Sequence, residues 1–200
     1  MREYPSKPVF RNKRAIFLDR DGTINKDTHY PHKIDDLILL PSAAEGMELF
    51  SSMPLDIIVV SNQGGIALGF YTTEQMSNFN NELRRRINEK NGRIDAFYYC
   101  PHFESKNIPK NIDMCTCSKP LTGMLLEAVK DFSIDLNSSY MVGDRLTDIV
   151  AGNSAGCKTI LIKTGQFFNK WYRTIEKPNF IAENLLEAAN IIRNDLGVTT

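Results

Sequence analysis

No stretch of this 200-residue chain approaches the ~20 consecutive apolar residues that a membrane-spanning helix needs, so no membrane partner is expected. An excess of charge of either sign is also missing. Lys plus Arg and Asp plus Glu both number 24, giving a formal net charge of zero. A neutral chain lacks the field that steers non-specific binding to nucleic acid, so no nucleic-acid partner is expected either. Residues 1–14 are basic but have no apolar core of the kind a signal peptide carries, which points to the cytosol. Cysteine is scarce, with four residues, and disulfides are disfavoured in a reducing compartment. Internal repeats and low-complexity segments are absent. One dense basic run, Arg84-Arg85-Arg86, reads either as a solvated helix face or as a patch for a partner.

What is present suits a packed α/β domain. The apolar fraction is 42%, and the length fits one domain or two very small ones. Strands are expected at Ala15–Leu18, Asp56–Val60, Ile94–Tyr99, Tyr140–Val142 and Lys158–Ile162, with a weaker one at Asn179–Ala182. Amphipathic segments at Ala43–Ser52, Thr73–Lys90, Gly123–Phe132, Thr147–Asn153 and Asn184–Asn194 alternate with them. Such alternation predicts a three-layer, Rossmann-like parallel sheet with helices on both faces. The connections are short, so a single domain over residues 1–200 is expected. Residues 100–117 show no period and carry three of the four cysteines, as an inserted loop would.

Ligands of open α/β sheets bind beyond the carboxyl ends of the strands, so the residues after each apolar run matter most. Leu18 is followed by Asp19-Arg20-Asp21-Gly22-Thr23, Val60 by Ser61-Asn62-Gln63-Gly64-Gly65, and Val142 by Gly143-Asp144-Arg145. Lys119, before Pro120, opens another helix within reach of the same rim. Two carboxylates ~4 Å apart repel by roughly 4 kcal/mol at an effective dielectric of ~20. Convergence of Asp19, Asp21 and Asp144 therefore calls for a hard dication, and Mg²⁺ is the usual choice beside phosphate. Three carboxylates, one Mg²⁺ and the Lys119 ammonium sum to zero, so a phosphoryl dianion can enter without net repulsion. Phosphoryl transfer depends on positioning and on neutralised oxygens. A carboxylate nucleophile divides hydrolysis into two easier displacements. A second carboxylate two residues on can protonate the leaving oxygen and then deprotonate the attacking water. Ser61, Lys119 and the amides around Gly64 are placed to hold the phosphoryl oxygens. Taken singly, each piece has a plain reading as well: Asp-x-Asp-Gly as a turn, Ser61-Asn62 as a helix cap, Lys119 as a surface lysine.

Cys100 and His102 face Cys115 and Cys117 across a twelve-residue loop. Three sulfurs and an imidazole suit tetrahedral zinc, in a closed and therefore structural shell. Structural zinc supplies roughly 10–16 kcal/mol of binding energy, enough to hold an irregular loop beside Lys119. Buried free cysteines beside a surface histidine are the alternative. Cys157 stands apart in apolar surroundings and reads as core.

Asp19-x-Asp21-Gly22-Thr23, Ser61-Asn62, Lys119-Pro120 and Gly143-Asp144-x-x-x-Asp148, in that order, resemble the haloacid dehalogenase-like phosphatases. The resemblance implies Asp19 as nucleophile, Asp21 as general acid/base, and Ser61 and Lys119 as phosphate ligands. It implies Mg²⁺ on Asp19, the main-chain carbonyl of Asp21, and Asp144, with Asp148 in support. No helical cap domain is interrupting the motifs, so an open site is expected. The cysteine loop is similar to that of the histidinol-phosphate and heptose-bisphosphate phosphatases within this superfamily. The stretches Asp19–Asn25, Asn62–Gly69, Tyr98–His102 and Lys119–Met124 resemble the heptose type more closely. That implies a small phosphorylated metabolite as partner, with D-glycero-D-manno-heptose 1,7-bisphosphate favoured and its 7-phosphate removed. It places Asp27, Tyr30, Asn62, Gln63, Gly64, Ser118 and Arg145 around the substrate; His29 and His32 read as surface loop residues. Ser118 and Leu68 stand where the family tends to have arginine, which keeps histidinol phosphate and other sugar phosphates open as alternatives. A zinc-stabilised binding protein without catalysis is the alternative of another class. A monomer is expected.

Overall fold

The computed structural model describes residues 1–3, 13–103, 115–165 and 176–198; the interior of the expected insertion, 104–114, lies outside them. Seven strands form one sheet: β1 (Arg2–Glu3), β2 (Ala15–Leu18), β3 (Asp56–Asn62), β4 (Ala96–Cys100), β5 (Tyr140–Gly143), β6 (Lys158–Ile162) and β7 (Phe180–Ala182). Among the described residues five α-helices accompany them: α1 (Ala43–Ser51), α2 (Thr73–Asn88), α3 (Gly123–Phe132), α4 (Leu146–Ala155) and α5 (Leu185–Asp195). The spatial order is β1-β4-β3-β2-β5-β6-β7, and every pairing is parallel except β1 with β4. From β2 the chain first builds outward through β3 and β4, then returns to add β5, β6 and β7 on the other side. The reversal lies between β2 and β5, where a crevice opens at the carboxyl ends of adjacent strands. Among the described residues no helical cap is inserted over that edge.

The period of two along each strand divides the core in two. Ile16, Leu18, Ile57 and Val59 face one way and pack with Met47 and Phe50 of α1, Phe79 and Leu83 of α2, and Ala188 and Ile192 of α5. Ala15, Phe17, Ile58 and Val60 face the other way, against Met124, Leu125 and Phe132 of α3. Cys157 belongs to this second core. Helix α2 starts at a reciprocal cap, in which the Thr72 hydroxyl accepts from the Gln75 N–H and the Gln75 side chain accepts from the Thr72 N–H. Its basic run is used within the chain. Arg85 and Arg86 both pair with Glu82, and the Arg84 guanidinium lies 4.8 Å over the Phe97 ring.

Two expectations shift. Strand β3 continues through Ser61 and Asn62, because both pair in register with Tyr99 and Cys100 of β4. A helix-cap role for Ser61-Asn62 is thereby excluded. The edge strand β1 was not legible, since two residues carry no period. Phe17 is fully buried in the second core, so Phe17→Ala should cost about 3–5 kcal/mol, read as a lower urea midpoint with an unchanged slope.

Candidate active site

Two carboxylates of the site, Asp19 and Asp144, stand just beyond a strand's end. Asp19 directly follows β2, and its N–H donates to the Val142 carbonyl of β5 at 3.0 Å, which ties the two strands where the topology reverses. Asp144 directly follows β5 and is fully buried. Asp148 lies one turn into α4, where it accepts from the Arg145 N–H at 3.0 Å and so caps the helix.

Lys119 joins these pieces. Its side chain is almost wholly buried; Nζ donates to Asp19 Oδ1 and to the Val60 carbonyl at 2.7 Å each, and forms an ion pair with Asp148 Oδ1, also at 2.7 Å. Two hydrogen bonds and an ion pair thus hold the ammonium. Burial pulls its pKa down, but Asp148 and Asp19 outweigh that and leave it above the ordinary lysine value. The main chain is fixed as well. The Asn62 amide donates to the Lys119 carbonyl and accepts from the Lys119 N–H, both at 2.9 Å. Asn62 lines the cavity, but its polar atoms are committed to holding the lysine.

Asp19, Asp144 and Asp148 bring ligand oxygens within 4.8 Å of one another. Burial raises the Asp19 pKa to about 8, with Asp148 and Asp144 adding to the rise and Lys119 opposing it. Three carboxylates and one ammonium leave a formal charge of two negative, which one divalent cation balances. All donors are hard oxygens, so the set fits Mg²⁺. Gly22 and Gly165 make room for Asp144. A Cβ on Gly22, whose φ is +90°, would sit 2.6 Å from Asp144 Oδ2, and one on Gly165 would overlap the same carboxylate.

The Asp21 side chain is absent from this cluster. Arg20 Nε and Nη2 donate to its two oxygens at 2.9 Å each, Asn25 Nδ2 to Oδ1 at 2.9 Å, and Gln63 Nε2 to Oδ2 at 3.1 Å. The charge count thus changes its members and keeps its sum, with Asp148 standing where Asp21 was expected. Gln63 is a four-way junction. Its Nε2 also donates to Ser61 Oγ at 2.7 Å, while Oε1 accepts from Arg20 at 3.1 Å and from the Tyr71 hydroxyl at 2.8 Å. Burial raises the Tyr71 pKa to about 12. Arg20, Tyr71 and Asn80 were not singled out from the sequence. Asn80 had a signal: it falls on the buried stripe of α2 with Met76, Phe79, Leu83 and Ile87.

A cavity of about 220 Å³ opens above these groups, lined by Asp19, Asp21, Ser61 and Lys119 within and by Asp27, Tyr30 and Arg145 at the mouth. Arg145 and Asp27 pair at 2.7 Å, bridging two loops. Tyr30 packs edge-on against Phe70 with ring centroids 5.0 Å apart. His29, read from sequence as a surface residue, lines the cavity, whereas Gly64 and Ser118 do not. Gly64 instead lies under His102 and Phe103.

The second candidate metal site unites Cys100, His102, Cys115 and Cys117. The three sulfurs lie within 3.3 Å of one another, and His102 Nδ1 is 3.1 Å from Cys115 Sγ. Burial raises Cys115, but hydrogen bonds from Cys117 and Cys100 prevail and lower it to about 7; burial holds Cys100 above its ordinary value. A ready thiolate among three further soft or borderline donors fits zinc. The Thr116 carbonyl accepts from the Gly123 N–H at 3.0 Å, so this cluster is anchored to the start of α3, beside Lys119.

Comparison with known proteins agrees with this geometry. A family model described as HAD-hydrolase-like matches residues 116–188. The D-glycero-β-D-manno-heptose-1,7-bisphosphate 7-phosphatase of Pasteurella multocida is 35% identical over 182 residues, covering 90% of this chain and 97% of that one. An enzyme of Photorhabdus laumondii named for the α anomer is 39% identical, covering 76% and 84%. The crystal structure of D,D-heptose 1,7-bisphosphate phosphatase from B. bronchiseptica, complexed with magnesium and phosphate, superposes with a TM-score of 0.80 at 28% identity, covering 92% of this chain and 99% of that one. With motifs, fold and relatives in agreement, this chain belongs to the haloacid dehalogenase-like phosphatases, in the family of the heptose-bisphosphate phosphatases.

Proposed function

We propose that this chain, as one domain over residues 1–200, hydrolyses a phosphomonoester through a phosphorylated Asp19. The observation that carries the reading is the buried meeting of Asp19, Asp144 and Asp148, with the Lys119 ammonium paired to Asp19 and Asp148 beside the cavity. Lys119 binds Asp19 Oδ1 and leaves Oδ2 to attack phosphorus. As that bond forms, the bond from phosphorus to the ester oxygen breaks, its electron pair stays on the leaving oxygen, and Asp21 supplies the proton. Asp21 then takes a proton from water as the water oxygen attacks phosphorus, and the bond to Asp19 breaks to restore the carboxylate. Ser61 and Lys119 hold phosphoryl oxygens during both displacements. Asp19, the Asp21 carbonyl and Asp144 would hold Mg²⁺, which when bound neutralises phosphoryl oxygens. Cys100, His102, Cys115 and Cys117 would hold a structural zinc.

Relatives named for heptose 1,7-bisphosphate support that sugar as substrate, with the 7-phosphate removed. Asp27, Tyr30, His29 and Arg145 would meet the part of the substrate beyond the transferred phosphate. The reading carries with it a cytosolic setting and a monomeric enzyme.

Asp19→Asn should lower kcat by at least ~10⁴-fold and move Tm by no more than a few degrees. Turnover comparable to that of the native enzyme would exclude Asp19 as nucleophile. Removing zinc with a thiol-selective chelator should lower Tm by more than ~5 °C, and an unchanged melt would sink the structural-zinc assignment. On phosphate release, kcat/KM for one anomer of heptose 1,7-bisphosphate should exceed that for histidinol phosphate by at least ~10-fold, on the scale that polar recognition provides. The reverse order would reassign the substrate.

A further inference from the structure

Arg20 is 1% exposed, and a charged side chain that deep in a protein needs partners on every side. Besides Gln63 Oε1, which accepts from Nη2 at 3.1 Å, its partners here fall into two sets. One set fixes the guanidinium: Asn80 Oδ1 accepts from Nη1 at 2.9 Å, the Pro31 carbonyl from Nη2 at 3.1 Å, and the Phe79 ring lies 4.6 Å beneath. Asn80 and Phe79 belong to α2, so the cation is braced against the core. The other set is the Asp21 carboxylate, met by both forks of the same guanidinium.

The fork matters because of what Asp21 has to do. A proton donor works only within hydrogen-bond reach of the leaving oxygen, and of the groups that hold the Asp21 carboxylate, Asn25 and Gln63 each touch one oxygen whereas Arg20 touches both. A planar, two-point contact sets the rotation of the carboxylate as well as its location. Gln63 extends the arrangement. It donates to Asp21 and Ser61 through Nε2 and accepts from Arg20 and Tyr71 through Oε1, so a flipped amide would set its NH₂ group against the guanidinium. Arg20 thereby holds Asp21 directly and orients Ser61 through one intervening side chain.

We propose that Arg20 is a positioning residue for proton transfer: anchored by Asn80, Pro31 and Phe79, its guanidinium aims the Asp21 carboxylate at the ester oxygen. This rests on the reading of Asp21 as general acid/base given above. Arg20 does not contact the reacting atoms in this account, and lysine cannot replace it, since an ammonium offers a point contact where the fork offers two.

The test compares leaving groups. A phosphate ester of a simple alcohol needs a proton on its departing oxygen, whereas 4-nitrophenyl phosphate does not. Under Mg²⁺-saturated conditions, kcat/KM reports the steps through phosphorylation of Asp19 and separates the two esters. Arg20→Lys is expected to lower kcat/KM by about 100-fold for glycerol phosphate and by less than about 5-fold for 4-nitrophenyl phosphate, with Asp21→Asn showing the same pattern more strongly. Phosphorylated Asp19 should also accumulate in acid-quenched Arg20→Lys during turnover of 4-nitrophenyl phosphate, because the water step loses its aimed base. Should Arg20→Lys fail to fold by circular dichroism, Asn80→Leu loosens the guanidinium from a distance and is expected to show the same selectivity at roughly 10-fold. Equal losses for the two esters in the folded Arg20 or Asn80 variant, with Asp21→Asn still discriminating, would overturn the positioning role alone. If Asp21→Asn itself loses both esters equally, the acid/base reading falls and the proposal falls with it.

Discussion

A single buried ammonium holds the active site together. Lys119 reaches it from the turn before α3, Asp19 from the end of β2, Val60 from within β3 and Asp148 from α4. These segments are far apart in sequence, and nothing local obliges them to meet. Without that cation, Asp19 and Asp148 would be two desolvated charges facing each other, a cost that burial multiplies. Without those carboxylates, the lysine would be expelled from the interior. Each group is therefore tolerable only in the presence of the others, which makes the site a cooperative unit of the fold.

The sheet topology explains why such a unit can be assembled at all. Reversal of strand order between β2 and β5 leaves neighbouring carboxyl ends without a crossover helix between them. Asp19 and Asp144 emerge there side by side, and backbone hydrogen bonding from Asp19 to Val142 sets their spacing. Glycine completes the fit: Gly22 and Gly165 admit the Asp144 carboxylate to a space that any side chain would fill. Packing thus supplies the positions, and electrostatics selects which groups occupy them.

Much of this was legible in the sequence because its signals are local. Asp19 and Asp144 follow apolar runs that read as buried strands, and Lys119 precedes a proline at a helix start. Five of the seven strands announced themselves as apolar stretches largely buried on both faces, and β7, whose Ile181 is exposed, gave only a weaker signal. The parts that escaped depend on contacts between distant residues. An arginine such as Arg20 ordinarily reads as solvent-exposed, and its burial becomes intelligible only once Asn80 and Phe79 of α2 are known to lie beneath it. Asp21 and Asp148 exchanged electrostatic roles for the same reason, because the guanidinium that claims Asp21 comes from an adjacent residue whose direction no pattern discloses. Asn62 and Gln63 looked like substrate contacts and turned out to have their amides occupied within the protein. Ser61 and Asn62 also lie on the strand rather than after it, since cross-strand pairing with β4 prolongs β3.

The short antiparallel strand at the start of the chain has a wider consequence. Along β1 the alternation of side chains sends Arg2 to Asp131 on α3 and Glu3 to Asn80 on α2, so two residues clasp both helical layers. Its backbone also covers the outer edge of β4, the flank along which a parallel sheet would otherwise recruit a stranger. One dipeptide therefore extends the sheet past β4 and forms the far end of a hydrogen-bonded chain that runs through Asn80 to the Arg20 guanidinium. The second and third residues of the chain and the guanidinium beside Asp21 thus share one fastening, so a change at Glu3 would be felt at Arg20.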